Sequence, residues 1–165
     1  LSLHDALPIW QKRFDELRNK EKIGLSDSWE FKKEIILPTL SSGIEKSLYE
    51  REGDMNGYER TVIEQIAGLS NIAFWHRNDG RNGFYINGWI NHYPDFIVVT
   101  KSGKILVIET KWWDRDNSDS KDKLKLGKTW ENLSGGKCKY FMIFQENPLP
   151  DSYILADMIE IIKSL

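Results

Sequence analysis

Tyr58, Val62, Ile63, Ile66 and Leu69 recur at helical spacing after Gly57, and the run ends near Gly68, so "NGYERTVIEQIAGLSN" predicts an amphipathic helix. The next segments change period. "IAFWHRN", "GFYING" and "DFIVVT" are rich in β-branched and aromatic residues, and "KILVIETK" closes a hairpin with "DFIVVT" through "KSG", predicting two to four antiparallel strands. "SDSKDKLKLGKTWENLSGG" returns to helical spacing. It opens on Ser or Asp caps, carries Leu126, Trp130 and Leu133 as its apolar line, and stops at Gly135-Gly136. "KYFMIF" predicts a short buried strand, and "DSYILADMIEIIKSL", after Pro148 and Pro150, a last amphipathic helix.

Upstream the pattern is thinner. Trp10, Phe14 and Leu17 fall at i, i+4 and i+7 in a charged background, the stripe of a surface helix from Trp10 to Lys22, and Pro38 stops any regular element after Ile35, Ile36 and Leu37. Residues 10–44 are expected to be a partly helical connector. The opening "LSLHDALPI" resembles translated sequencing-adapter sequence, so residues 1–9 are expected to be a non-native lead, outside the fold.

Composition changes this picture little. A chain of 165 residues builds one domain with its own core, and no apolar run approaches the roughly 20 residues of a membrane span. The single Cys138 excludes an internal disulfide and a cysteine-only zinc site, and a reducing, cytoplasmic setting is expected. A net charge of -2 excludes a module that grips nucleic acid by bulk electrostatics alone.

The chemistry concentrates in "YPDFIVVTKSGKILVIETKWW", Tyr93 to Trp113. Alternation puts Ile105, Val107, Glu109 and Lys111 on one face of the second strand and Leu106, Ile108 and Thr110 on the other. In a hairpin closed at Ser102-Gly103, Asp95 and Glu109 both lie at the end opposite the turn, which brings two carboxylates and a lysine together. Two anions in a half-buried site call for a cation, and hard oxygen ligands suit Mg²⁺. The plainer alternative is that Asp95 caps a turn after Pro94 and Glu109 pairs with Lys111 at a strand edge. Glu59, in line with Val62, Ile63 and Ile66, either aims a third carboxylate along the packed face of its helix or complements that helix's dipole.

Lys121, Lys125 and Lys128, at i, i+4 and i+7, form either a phosphate-contacting stripe or a solvated face. His76 and Arg77 end a strand, either near a reacting phosphate or as ordinary polar residues. His92, just before "YPD", is either a hydrogen-bonding group near a metal or a structural histidine. Cys138 reads as packing. "GKT" at Gly127 to Thr129 is no phosphate loop, because position 122 is Asp122 rather than glycine and the triplet lies within a helix.

The order of an inward Glu59, Pro94-Asp95, a hairpin, "ETK" at Glu109 to Lys111, a helix and a strand resembles the PD-(D/E)xK nuclease superfamily. Six blocks, "EKSLYEREGDMNGYERTVIEQIA", "FWHRN", "NHYPDFIVV", "ETK", "DNSDSKDKLKLGKTW" and "KYFMIFQE", together resemble the C-terminal endonuclease domain of the Res subunit of type III restriction enzymes, from about Glu45 to Leu165. The resemblance implies an α/β fold with a restriction-endonuclease-like core, a central mixed β-sheet flanked by helices in the order α-β-β-β-α-β-α, over residues 45–165. It implies a divalent-metal-dependent endodeoxyribonuclease. Asp95 and Glu109 would bind Mg²⁺ or Mn²⁺ with the backbone carbonyl of Thr110, Glu59 would be an additional or water-mediated ligand, and Lys111 would orient the attacking water. Lys121, Lys125, Lys128 and Arg77 are the expected contacts to double-stranded DNA. It further implies an ATP-driven motor on the same polypeptide and a methyltransferase partner subunit; the alternatives are the nuclease domain of another DNA-processing helicase and a catalytically inactive DNA-binding or scaffold module of the same fold. One departure stands out: that family commonly has a small residue after the lysine, and here Trp112 and Trp113 follow.

Overall fold

In the computed structural model, which describes residues 3–26, 28–41, 43–112 and 117–165, the elements follow one another in a simple order. Helices α1 (Leu3–Asn19) and α2 (Gly57–Ala67) precede strand β1 (Ile72–Arg77) and the two-residue strands β2 (Ile86–Asn87) and β3 (Asn91–His92). Strands β4 (Phe96–Thr100) and β5 (Ile105–Lys111), helix α3 (Asn117–Leu133), strands β6 (Cys138–Phe144) and β7 (Tyr153–Ile154), and helix α4 (Leu155–Lys163) complete the fold. The sheet runs β1-β4-β5-β6-β7, with β1, β4 and β5 antiparallel and β5, β6 and β7 parallel. It is a mixed α/β fold with a central mixed sheet flanked by helices, as the sequence pattern predicts.

The antiparallel half follows from the Ser102-Gly103 turn, where Gly103 takes φ +85, a conformation open to glycine at no steric cost. The parallel half needs a crossover, and α3 supplies it between β5 and β6. Each face of the sheet has its own core. Val62, Ile63 and Ile66 of α2 and Met158 and Ile162 of α4 are buried against Trp75, Phe96, Ile108 and Phe141. Burying each such aliphatic side chain contributes about 1.5–3 kcal/mol. On the other face Leu124 and Leu126 of α3 pack with Val107, Tyr140, Met142 and the β2–β3 ribbon residues Ile86 and Trp89. Gly127 lets α3 press directly onto the ring of Tyr140, where a Cβ would stand only 2.5 Å from the ring atoms.

Four details differ from the pattern-based expectation. The N-terminal helix starts at Leu3 rather than Trp10 and puts Leu7 and Phe14 against the second core. "GFYING" yields only the short strand β2, paired with β3 apart from the main sheet. The expected line of Leu126, Trp130 and Leu133 is displaced: Leu124 and Leu126 are buried while Leu133 is 41% exposed, because the close approach at Gly127 sets which face of α3 meets the sheet. The helix begins at Asn117, so Ser118, Asp119 and Ser120 lie in its first turn rather than before it. Among the described residues, no helix is long and apolar enough to cross a membrane.

Candidate active site

Register brings the predicted carboxylates together. Phe96 pairs with Ile108, which sets Asp95 opposite Glu109 at the open end of the β4–β5 hairpin. Asp95 is fixed by Thr110, whose backbone N–H and Oγ1 both donate to its Oδ2, at 2.7 and 2.8 Å. Its Oδ1 accepts from Arg77 Nη1 at 3.1 Å.

Glu109 lies on the α3 face of β5, 5% exposed. Its Oε1 is 3.2 Å from Lys111 Nζ and 4.0 Å from Lys123 Nζ. Its Oε2 is buried and has no hydrogen-bond partner among the described residues. Burial, and then the negative charge of Asp95, push the Glu109 carboxyl up to about 8 against the opposing pull of Lys111 and Lys123. A buried carboxylate oxygen with nothing bonded to it, opposite a second carboxylate, is the donor chemistry a hard divalent cation requires.

Glu59 stands on the other side of the sheet. It completes a capping box: Asn56 Oδ1 accepts from the Glu59 N–H at 2.9 Å, and Glu59 Oε2 accepts from the Asn56 N–H at 2.8 Å. Its Oε1 accepts from Arg77 Nη2 at 2.9 Å. The carboxyl is raised above its ordinary value chiefly by burial, with Arg77 and the Asn56 N–H acting against that. Glu59 therefore reaches Asp95 through Arg77. Among the described residues, no three His, Cys, Asp or Glu side chains converge closely enough to hold a metal ion, and the candidate oxygens are those of the Asp95–Glu109 pair with the Thr110 carbonyl.

The structure gathers Asp95, Glu109, Lys111 and, through Arg77, Glu59. It does not gather the lysine stripe. Lys121 and Lys125 are exposed on the side of α3 turned away from Glu109, and Lys128 Nζ is held by the fold, donating to the Tyr140 carbonyl at 3.1 Å and lying 3.3 Å from Glu131. Arg77, expected as a DNA contact, is bound to the site's own carboxylates. His76 is buried and paired through Nδ1 with Glu52 at 2.8 Å, away from Asp95. His92 lies beneath the site, fully buried, with Nε2 2.8 Å from the Tyr140 hydroxyl. Burial, then Lys123 and Lys111, lower its pKa to about 3, so it is neutral. Trp112 is 58% exposed and meets the edge of Tyr58, whereas Trp113 lies outside the described residues.

The pattern-based reading missed Lys123. The signal was in the sequence: Lys123 precedes Leu126, Gly127 and Trp130 by three, four and seven residues, a cation on the packed side of an amphipathic helix. Comparison with known proteins adds nothing to this geometry: no family model, curated protein or solved structure matches the chain.

Proposed function

We propose that the domain is a divalent-metal-dependent DNA endonuclease with a PD-(D/E)xK centre. The observation that carries the reading is the juxtaposition of Asp95 and Glu109 at one hairpin end, with Glu109 Oε2 buried and without a hydrogen-bond partner among the described residues, and Lys111 on the same face. Asp95, Glu109 and the Thr110 carbonyl would hold Mg²⁺ or Mn²⁺, which when bound supplies positive charge at the scissile phosphate and acidifies a water. Thr110 orients Asp95 through two hydrogen bonds. Lys111 orients the attacking water and stabilises charge developing on a non-bridging oxygen. The water oxygen bonds to phosphorus, one ester P–O bond breaks, and the departing oxygen takes the proton.

The setting proposed for this activity is the cleavage module of a type III restriction system, supported by the six sequence blocks in their order. DNA engagement would then draw on a motor region, which uses ATP, and on a methyltransferase subunit, because this domain carries a net charge of -2. A second reading is a non-catalytic DNA-binding or scaffold module of the same fold. The Arg77 guanidinium favours it, since it already pairs with both Asp95 and Glu59. Conversion of supercoiled plasmid to open circles in Mg²⁺ or Mn²⁺, lost on chelation and in Asp95→Ala, supports the nuclease. DNA binding without any metal-dependent conversion, with the motor and methyltransferase present, supports the scaffold.

A further inference from the structure

Lys123 is on the packed side of α3, its side chain only 23% exposed, and it faces β5. Its ammonium is 2.6 Å from Asp119 Oδ2, one turn earlier on the same helix, and 4.0 Å from Glu109 Oε1. Asp119 is 64% exposed, and a pair with so exposed a partner is weakened by solvent screening. That is a poor reason to bury a lysine. Glu109 gives no better one, since its Oε1 already has Lys111 at 3.2 Å. The Asp119 carboxylate at 2.6 Å favours the charged ammonium of Lys123.

The charge balance shows what this cation could meet. With Glu109 deprotonated, as metal binding requires, four carboxylates, Asp95, Glu109, Asp119 and Glu59, stand against the three cations Arg77, Lys111 and Lys123, with His92 neutral beneath. A dication at the carboxylate pair turns that balance to a single positive charge, the complement of one phosphodiester. The four-carbon stem of lysine lets the head move between partners.

We propose that Lys123 is a second phosphate-contacting cation of this centre, held by Asp119 in the free protein and released to a non-bridging oxygen of the scissile phosphate when DNA docks. This rests on the nuclease reading above. Lys111 and Lys123 then bracket the phosphate from β5 and from α3, and Asp119 competes with DNA for Lys123.

Two readouts test it in the protein with its motor and methyltransferase. The first is single-turnover cleavage of a duplex in Mg²⁺. Lys123→Gln, which keeps most of the stem, is expected to slow it about tenfold or more, and Lys123→Arg to retain most of the rate. The second is equilibrium binding of a fluorescent duplex across a salt series in a Lys111→Ala background, where cleavage is suppressed. Adding Lys123→Gln should reduce the log-log salt slope by about one, while adding Asp119→Asn should tighten binding. A structural role for Lys123 gives no such opposite signs. Wild-type cleavage rate and salt slope in Lys123→Gln would overturn the inference and leave the nuclease reading intact. Absence of metal-dependent cleavage by the wild-type protein would instead remove the nuclease reading itself.

Discussion

Arg77 grips Asp95 twice with one nitrogen: Nη1 donates to its backbone carbonyl at 2.9 Å and to its carboxylate Oδ1 at 3.1 Å. The other terminal nitrogen reaches Glu59 at 2.9 Å, so one planar guanidinium ties the N-terminal turn of α2 to the open end of the hairpin. Arg77→Met leaves both carboxylates without their cation and is expected to destabilise the domain by about 1–3 kcal/mol. Arg77→Lys recovers little, because a single ammonium cannot span both partners. Urea denaturation of the two variants beside the wild type measures both effects.

Glu109 makes stability depend on pH. Its carboxyl sits at about 8 in the fold against an ordinary 4.5. Between those values the folded protein keeps a proton that the unfolded chain has released. Metal-free stability therefore falls as pH rises through that window and is unaffected by this group below it. Glu59 shifts in the same direction. Glu109→Gln is expected to flatten most of the decline in thermal midpoint with pH. Mg²⁺, which competes with the proton on Glu109, should stabilise the wild type more at the top of the window than at the bottom. Thermal melts with chelator or Mg²⁺ across that range check both outcomes.

Gly127 sets the distance between α3 and the sheet, and with it the reach of Lys123 towards Glu109. Gly127→Ala puts a methyl group 2.5 Å from the Tyr140 ring, and the helix must move outward. The expected loss is about 1–3 kcal/mol of stability, as for other overpacked cores, despite the better helix propensity of alanine. Differential scanning calorimetry measures it.

Much of this was legible in the sequence, for identifiable reasons. The positions of Asp95, Glu109 and Lys111 follow from strand alternation and a tight turn, which fix register within a few residues, and the structure places them as expected. The intramolecular partners of Arg77 and Lys128 did not follow. A cation at a strand end or on a helix stripe looks the same in sequence whether it faces solvent or a carboxylate from a distant element, and only tertiary packing brings Glu59 to Arg77 or the Tyr140 carbonyl to Lys128. The two-residue strands β2, β3 and β7 are too short to impose a period. The true face of α3 was hidden for a similar reason, since it depends on a glycine meeting an aromatic ring from β6.

Trp112 stands where the resemblance leads to the expectation of a small residue after Lys111, and its indole points away from the Glu109–Lys111 face. One residue beyond Lys111, it turns to the opposite face, where it meets the edge of Tyr58 at a centroid distance of 6.4 Å. Trp112→Gly is expected to leave metal-dependent plasmid nicking at the wild-type rate. A large gain in rate on that substitution would show that the indole obstructs DNA.

The most direct test of the proposed centre separates holding the metal from using it. Mn²⁺ binding by calorimetry and nicking of supercoiled plasmid are measured together on the wild type, Asp95→Ala and Lys111→Ala, with the motor and methyltransferase restored for the nicking arm. A metal centre on Asp95 and Glu109 with Lys111 at the attacking water requires that the wild type binds Mn²⁺ and nicks, that Asp95→Ala does neither, and that Lys111→Ala binds the ion but does not nick. Nicking that persists in either variant, or a wild type that neither binds Mn²⁺ nor nicks, contradicts it.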